Sequence, residues 1–278
     1  MTKFDMEIVG KIGSMALINK TDRDIDYNIF SRLGKQLHPG MVWVSSGAVE
    51  IGRIDYMQRN AGSELTGDSD ENIKADYASQ GQIILMQKYR EFIPKEYGVR
   101  QVLVEHQHFN DMAKRKHIKD LLIRCARQGA IPIVNYNDPV NIEENRRLEL
   151  LQVKSEGNTD AKECIDNDET AAVISTLVKS KILVLLTVVD GIYKDVNDPK
   201  TLIREIGGKD PGEVVERIKE YKKYCTGSSR KGSNGAEAKL QFTIEPVENG
   251  TTVFIANAKY RIRDIINGTA PSTRIGTR

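Results

Sequence analysis

Two lysines in glycine-containing turns are the residues of this sequence best suited to phosphate chemistry. Lys11 precedes Gly13 and Ser14, directly after the first apolar run of the chain. Glycine lets backbone N–H groups approach an anion closely, and a helix that begins there adds its dipole. A second turn, Gly232-Ser233-Asn234-Gly235, leads into a predicted helix that contains Lys239. Each turn taken alone is an ordinary glycine turn, so the prediction of an anion site depends on finding them together.

Short polar side chains form further clusters. Asp166-Asn167-Asp168 stands at the predicted start of a helix. Aspartate and asparagine are good helix N-caps, so capping explains one of these three residues and leaves the others for another role. Ser45-Ser46-Gly47 and Asn135–Asp138 each follow an apolar run directly. Together with the lysines, these clusters predict a phosphate-handling site.

Other common motifs are missing from the sequence. It contains no Walker A motif, no GxGxxG after a strand, no CxxC pair and no GxSxG elbow, which argues against P-loop, dinucleotide and serine-hydrolase chemistry. His106 and His108 are two residues apart, but zinc would need further ligands that are not evident nearby. We interpret both as ordinary polar residues.

The composition limits the class of protein. The 278 residues carry 41 Lys and Arg against 39 Asp and Glu, and this net charge of +2 does not fit a dedicated nucleic-acid binder. The 3 cysteines are odd in number and widely scattered, which favours a reduced, cytoplasmic protein over a disulfide framework. The sequence has no apolar run of about 20 residues and no signal peptide, so we expect no membrane partner.

Short apolar runs and amphipathic segments alternate along the chain and must position these residues. The runs predicted as buried strands are Met6–Val9, Met41–Val44, Arg100–Val104, Ala130–Val134, Lys181–Val189 and Thr252–Ile255. The segments predicted as helices are Tyr27–Leu37, Gln80–Gly98, Lys116–Gln128, Glu169–Lys179, Gly212–Lys222 and Ala236–Thr243. Such alternation predicts an α/β protein, a three-layer α/β/α sandwich with a mostly parallel open sheet. Ligands of such sheets bind at the carboxyl ends of the strands, where the polar clusters lie.

Eight motifs then occur in the order typical of one enzyme family. They are KIGS (11–14), VSSGAVEIGR (44–53), ASQGQIILMQKY (78–89), IPIVNYNDPV (131–140), DNDETAAVIS (166–175), LVLLTVVDGIY (183–193), GSNGAEAKLQ (232–241) and the closing VFIAN…IINGT. With these motifs the chain resembles the amino acid kinase family, most closely its glutamate 5-kinase branch. The resemblance implies a single kinase domain over residues 1–278, with the acceptor held by about 1–179 and the nucleotide by about 180–278. The closing motif stands near residue 278, so we expect no C-terminal PUA domain of the kind that many members carry.

The resemblance also implies a reaction. Members use ATP with Mg²⁺ to phosphorylate a carboxylate, carbamate or phosphate, and glutamate 5-kinases convert L-glutamate to γ-glutamyl phosphate, the first step of proline biosynthesis. A carboxylate is already ionised at neutral pH, so the transfer requires cations and positioning rather than a general base. Feedback inhibition by proline, a homo-oligomer (dimer or tetramer) and a downstream dehydrogenase are further expectations.

Carried over position by position, the resemblance assigns roles to individual residues. Lys11 and Lys239 fall on catalytic lysines, and Asp168 falls on the aspartate that orients both. The acceptor-binding positions are Ser46, Gly47, Asp138, Asn167 and Asp166, with Asp138 expected to hold the substrate amino group. The nucleotide-binding positions are Gly13, Ser14, Thr187, Val188, Tyr193, Gly232, Ser233, Asn234 and Gly235. No residue is implied as a metal ligand.

Two departures from the family pattern leave the substrate open. Val188 stands where members usually carry an aspartate, and Asp190 would substitute partly because it faces the same side of an extended strand. The segment Asn141–Ile165 is longer than usual, and we interpret Ile142–Lys162 as a solvated loop, with a lid as the alternative. Two other functions therefore remain open: a family kinase with a different carboxylate or phosphate acceptor, and a non-catalytic nucleotide or anion binder.

Overall fold

An eight-stranded sheet carries the fold in the computed structural model, which describes residues 4–155, 157, 161–164, 166–225 and 235–278. The strands of these ranges are β1 (Met6–Ile12), β2 (Ile18–Asn19), β3 (Asp24–Ile25), β4 (Met41–Ser45), β5 (Gly98–Val104), β6 (Ala130–Tyr136), β7 (Ser180–Thr187), β8 (Glu205–Gly208), β9 (Thr252–Asn257) and β10 (Ser272–Thr277). The sheet order is β5-β6-β4-β1-β7-β9-β10-β8, and β2 and β3 form a separate hairpin. Neighbouring strands of the large sheet are parallel except for the antiparallel pair β9 and β10.

Helices cover both faces of the sheet. They are α1 (Tyr27–Gly34), α2 (Ala48–Arg59), α3 (Asp70–Phe92), α4 (Gln107–Asn110), α5 (Met112–Arg127), α6 (Glu143–Ser155), α7 (Asn167–Leu177), α8 (Pro211–Lys222), α9 (Gly235–Phe242), α10 (Ile244–Glu248) and α11 (Ile262–Ile266). Apolar side chains of α5, α7, α8 and α10 pack on one face, and those of α1, α2, α3 and α11 pack on the other. The predicted three-layer α/β/α sandwich is therefore confirmed. Within the described ranges, no helix is both long and apolar enough to span a membrane.

The central strand β1 brings three strand ends together. It is flanked by β4 and β7, both parallel to it, and Lys11 lies in register with Val44 on one side and Leu185 on the other. Successive β1 residues face opposite layers, as Ile8 and Val9 show by joining different apolar clusters. Because all three strands run in one direction, the segments that follow them meet at a single edge of the sheet.

Two glycines set the close approach of α2 and α3. A Cβ atom added at Gly81 would lie 1.9 Å from the carbonyl oxygen of Ala48, and one added at Gly52 would lie 1.8 Å from that of Tyr77. Real side-chain carbons do not come this near to a backbone oxygen, so the two helices touch backbone to backbone. The position of α3 is consequently fixed relative to α2, which begins directly after the turn at Ser46.

Several sequence-based boundaries differ from the structure. The predicted loop Ile142–Lys162 is wrong, because α6 occupies residues 143–155 of it. β7 ends at Thr187, two residues before the predicted Val189, and α3 begins ten residues before the predicted Gln80. The prediction omitted α2, β8, β10 and the β2–β3 hairpin.

Candidate active site

Two lysines and one aspartate form a buried ionic cluster at the carboxyl edge of the sheet. Lys11 in β1 places its Nζ 2.7 Å from Oδ1 of Asp168, and Lys239 in α9 places its Nζ 2.7 Å from Oδ2. The side chains of Lys11 and Asp168 are 8% and 7% exposed, and that of Lys239 is 19% exposed. One carboxylate thus holds two ammonium groups, one on each oxygen, and the cluster as a whole remains positively charged.

The electrostatics of this cluster keep Asp168 ionised. Burial alone would raise the pKa of Asp168, but the neighbouring Lys11 and Lys239 outweigh that effect and lower the pKa to about 2. Asp168 is therefore negatively charged at every pH at which the protein is expected to work. Its charge is shared between the two lysines, and one positive charge is left for a further anion.

The first turn of α7 positions the acidic cluster. Asp166 is the N-cap of this helix, and its Oδ1 accepts hydrogen bonds from the backbone N–H groups of Asp168 at 2.8 Å and Glu169 at 3.0 Å. Capping therefore accounts for Asp166, as the sequence suggested for one member of the cluster. Asn167 is turned toward β4, where its Nδ2 donates to Ser46 Oγ at 3.0 Å.

The turn after β4 depends on a glycine and on buried polar side chains behind it. Gly47 has φ +113°, a left-handed conformation that L side chains rarely adopt, and α2 begins at the next residue. Tyr89 in α3 donates its hydroxyl to Ser45 Oγ at 2.7 Å and accepts a hydrogen bond from Trp43 Nε1 at 3.0 Å. These contacts fix the backbone that presents Ser46 to the site.

Asp138 opens the short 3-10 turn that follows β6. Burial raises the pKa of its carboxyl to about 6, and the ammonium group of Lys74 in α3 opposes that rise. A carboxyl group of this kind exchanges its proton near neutral pH, which makes it sensitive to a cation brought close to it. Its predicted role in holding a substrate amino group stays a prediction.

A cavity of about 410 Å³ joins most of the predicted site residues. Its lining contains Lys11, Gly13, Ser14, Ser46, Asp166, Asn167, Asp168, Thr187, Val188 and Lys239. Met15, Ala16, Lys20 and Leu186, which the sequence did not single out, also line it. Lys20 adds a third cation to the cavity. In the sequence, it could have been predicted as a lining residue only because it follows Ser14 by six residues.

The remaining predicted residues lie outside this lining. Gly47 follows Ser46 in the turn after β4, and Asp138 lies close enough to α3 for Lys74 to affect its pKa. Gly235 is the first residue of α9 and has φ +67°. Tyr193 forms an isolated bridge with Leu202. The predicted nucleotide-binding residues Gly232, Ser233 and Asn234 fall outside the described residues.

Val188 lines the cavity just after the end of β7, and the strand ends earlier than the sequence predicted. This side chain follows the end of β7, is 49% exposed and lines the cavity with its apolar surface. The premise that a strand continues to Asp190 is wrong, since β7 ends at Thr187. Asp190 instead pairs with Lys259, with 3.2 Å between Oδ1 and Nζ.

Helix α6 is docked on α3 and on the turn that precedes α4. Glu149 in α6 places Oε2 2.7 Å from Nε2 of His106, whose side chain is only 5% exposed. The backbone N–H of Glu143, at the start of α6, donates to Glu71 Oε1 at 2.5 Å. These contacts dock α6 on its neighbours, and His106 acts as the anchor for it.

The charges in the cavity suit a polyanionic ligand. Three lysines line it against two carboxylates, one of which caps α7 while the other is paired with two lysines. Phosphoryl transfer needs positioned cations that neutralise charge on the transferring group rather than covalent chemistry by the protein. The arrangement therefore supports transfer of a phosphoryl group between two anions.

Known proteins that resemble this chain are also enzymes that transfer phosphoryl groups. The sequence profile of the amino acid kinase family matches residues 6–257. A glutamate 5-kinase of Dehalococcoides mccartyi is 30% identical over 284 residues, which cover 98% of this chain and 67% of that protein. A glutamate 5-kinase of Alkaliphilus metalliredigens is 28% identical over 275 residues, 96% of this chain and 94% of that protein. The structure of carbamate kinase from Giardia lamblia bound to AMP-PNP aligns over 100% of both chains with a TM-score of 0.59 and 14% identity, which supports the fold alone.

Proposed function

Because the chain belongs to the amino acid kinase family, we propose that it uses ATP to phosphorylate the γ-carboxylate of L-glutamate. The product is γ-glutamyl phosphate, which is formed in the first step of proline biosynthesis. The observation that carries the proposal is the pairing of Lys11 and Lys239 with Asp168 in a cavity that Ser46 and Asn167 also line. The relatives named glutamate 5-kinase favour glutamate over other acceptors.

The reaction follows from the charges of the site. A carboxylate oxygen of the acceptor attacks the γ-phosphorus, the bond from that phosphorus to the bridging oxygen breaks, and ADP leaves with the electron pair. The acceptor is already ionised, so no general base is required. We assign to Lys11 the neutralisation of the transferring phosphoryl group and the attacking oxygen, and to Lys239 that of the leaving phosphate. Asp168 fixes the direction of both ammonium groups.

The acceptor is held on the opposite wall of the cavity. Ser46 presents its hydroxyl to it, Asn167 holds that hydroxyl in place through its Nδ2, and Gly47 supplies the left-handed conformation of the turn. Asp138 would hold the amino group of glutamate, since an ionised carboxylate is the natural partner of an ammonium group. Asp166 supports the site by capping α7.

The nucleotide is assigned to the glycine turn after β1 and to the end of β7. The residues proposed to contact it are Gly13, Ser14, Thr187, Val188, Tyr193, Gly232, Ser233, Asn234 and Gly235. Three lining lysines fit the charge of a triphosphate. Mg²⁺, which in proteins is usually bound through substrate phosphates and one or two carboxylates, would neutralise phosphate charge there, and Asp166 and Asp168 are the carboxylates that line the cavity.

An acceptor screen with hydroxylamine tests the function. Hydroxylamine converts an acyl phosphate to a hydroxamate, which forms a coloured complex with iron(III), so glutamate with ATP should give both hydroxamate and ADP. Lys239→Ala should abolish both products, while Lys219→Ala, an exposed lysine paired with Glu216 at 2.8 Å, should change neither. ADP formation with another carboxylate or a phosphate acceptor, but not with glutamate, would contradict the proposed substrate.

A different acceptor is the second candidate, and helix α6 is the observation that favours it. α6 begins at Glu143, shortly after the turn that carries Asp138, and it is docked on Glu71 of α3, so its position affects where that turn lies. The screen therefore includes aspartate, N-acetylglutamate and carbamate. Inhibition by proline, a homo-oligomer and a cytoplasmic location stay predictions, and adding proline to the screen tests the first of them.

A further inference from the structure

A chain of four polar side chains, two of them buried, connects helix α3 to the cavity. Gln82 in α3 is 7% exposed, and its Oε1 accepts a hydrogen bond from Asn135 Nδ2 at 2.8 Å. Asn135 Oδ1 accepts from the Nδ2 of Asn167 at 2.9 Å, and the same Nδ2 donates to Ser46 Oγ at 3.0 Å. Gln82 and Asn135 do not line the cavity, whereas Asn167 and Ser46 do. The chain therefore runs from the protein interior to the acceptor.

A backbone group determines the direction of every hydrogen bond in this chain. The N–H of Tyr136 can only donate, and it faces Asn135 Oδ1 at 2.9 Å and Asn167 Oδ1 at 3.3 Å. Both asparagine amides must therefore turn their oxygens toward Tyr136. The Nδ2 of Asn135 therefore points toward Gln82. Since Nδ2 can only donate, Gln82 must accept this hydrogen bond with its Oε1.

The direction has a consequence for Ser46. Both hydrogens of Asn167 Nδ2 are used, one on Asn135 Oδ1 and one on Ser46 Oγ. Since Ser46 Oγ accepts from Asn167, its own proton remains to be donated into the cavity. A donated hydroxyl proton is what an anionic acceptor requires from that wall.

Gln82 itself keeps an unsatisfied group. Among the described residues, its Nε2 is buried and has no hydrogen-bond partner. Native proteins contain few such groups, because an unpaired buried donor lowers stability. An apolar residue would remove this unpaired donor but would leave Asn135 Nδ2 without its acceptor, so what the glutamine contributes is its oxygen.

Helix α3 holds Gln82 in place. The preceding residue, Gly81, lies against Ala48 at the start of α2, where an added Cβ would be 1.9 Å from a carbonyl oxygen. The backbone contact leaves α3 no freedom to slide, so the distance from Gln82 to Asn135 is set by the crossing of two helices.

We propose that Gln82 is a positioning residue for the acceptor: its Oε1 holds the amide of Asn135 in the orientation that the N–H of Tyr136 sets, and through Asn135 and Asn167 it keeps Ser46 a hydrogen-bond donor to the anionic substrate. The proposal rests on the proposed function, since it names how the same site binds its acceptor. Gln82 touches neither substrate nor nucleotide in this account. It acts through the amide of Asn135.

Kinetics of three variants test the proposal. Gln82→Leu removes the oxygen and should raise the KM for the acceptor about tenfold, while the KM for ATP changes less than twofold. Gln82→Glu keeps an oxygen in the same place and should restore the acceptor KM to within about threefold of wild type. Gln80→Leu is the matched control, because Gln80 lies in the same helix but bonds to Asp55, away from the site, and its KM values should equal those of wild type.

Thermal unfolding separates positioning from a structural role. Gln82→Leu removes one unpaired donor and creates another at Asn135 Nδ2, so its Tm should remain within about 4 °C of wild type. In the background of Ser46→Ala, Gln82→Leu should have no further effect on kcat/KM for the acceptor, since the chain then lacks its last member.

Three results would overturn the proposal: equal loss for ATP and acceptor, no rescue by Gln82→Glu, or additive effects of the Gln82 and Ser46 substitutions. The wild-type enzyme is assayed first. If it phosphorylates another acceptor but not glutamate, the proposed substrate is wrong, and the same comparison on that acceptor decides the role of Gln82. If wild type turns over glutamate and Gln82→Leu is indistinguishable from it, the positioning role alone is refuted.

Discussion

Replacing Asp168 by asparagine removes the negative charge that Lys11 and Lys239 share while keeping the shape of the side chain. In the native site each ammonium group lies 2.7 Å from its own carboxylate oxygen. An asparagine offers one oxygen and one N–H₂ group, so one of the two lysines would face a donor. That lysine must turn away, and the cation that we propose it supplies to the phosphoryl group would be lost.

The magnitude follows from the contact geometry. Unit charges about 4 Å apart attract each other by about 4 kcal/mol at the effective dielectric constant of 20 that suits protein sites. Water and a rearranged lysine recover part of this energy, which leaves a loss of about 3 to 4 kcal/mol in stabilisation of the transition state. At about 1.4 kcal/mol for each tenfold change in rate, kcat should fall by about 10² to 10³.

A coupled ADP assay with saturating ATP and acceptor measures this loss in kcat. Asp120→Asn is the matched control, because Asp120 also lies 2.7 Å from a lysine, Lys116, but on an exposed helix surface. The control should keep the wild-type rate. An Asp168→Asn enzyme within fivefold of wild type, with an intact fold by circular dichroism, would refute the claim that Asp168 orients the two lysines.

Three other perturbations have defined outcomes. Gly81→Ala places a Cβ 1.9 Å from the Ala48 oxygen, so α2 and α3 must separate at a cost of about 1 to 3 kcal/mol, seen as a lower Tm together with a higher acceptor KM. Burial raises the pKa of Asp138 to about 6, so the ionised form that would bind an amino group predominates only above that pH. The KM of the wild-type enzyme for the acceptor should therefore fall as the pH rises through about 6. Asp138→Asn should have a high KM for the acceptor that does not vary over this pH range. The pKa of Asp168 is lowered from 3.8 to about 2, so the stability that its ionised carboxylate contributes is complete above pH 3.8 and is lost as the pH falls through 2. Lys239→Met removes one cause of this lowered pKa. Acid unfolding of this variant, followed by circular dichroism, should therefore occur at a higher pH than that of the wild type.

The sequence predicts the parts of the fold that carry strong apolar runs. β1, β4, β6 and β7 are buried on both faces, so their Val, Ile and Leu residues stand out from the polar turns around them. β8 (Glu205–Gly208) and β10 (Ser272–Thr277) carry glycine, threonine and arginine instead, and they form strands because neighbouring strands offer hydrogen bonds to them. Such pairing partners are distant in the sequence and leave no local signal.

In the candidate site, too, some features were predictable from the sequence and others depend on tertiary contacts. Lys11, Asp168 and Lys239 were identified from the combination of motifs and not from the turn or cap beside each of them, and the structure brings them together. Helix α6 was missed because Leu148 and Leu151 remain more than half exposed and give no clear buried stripe. Its attachment depends instead on single polar contacts such as that of Glu149 with His106. Contacts of this kind depend on the tertiary structure, as does the hydrogen-bond direction that gives Gln82 its place.

The central position of β1 also constrains the order of folding during synthesis. β1 leaves the ribosome before β4 and long before β7, the two strands that cover its edges. Until then its unpaired backbone groups and its nearly continuous buried side chains are open to wrong partners, which makes early chains prone to aggregation. The ionic cluster forms later still, after Lys239 has been added to the chain. A nascent chain therefore cannot transfer phosphate, and enzyme activity reports the folding of nearly all the residues between Lys11 and Lys239.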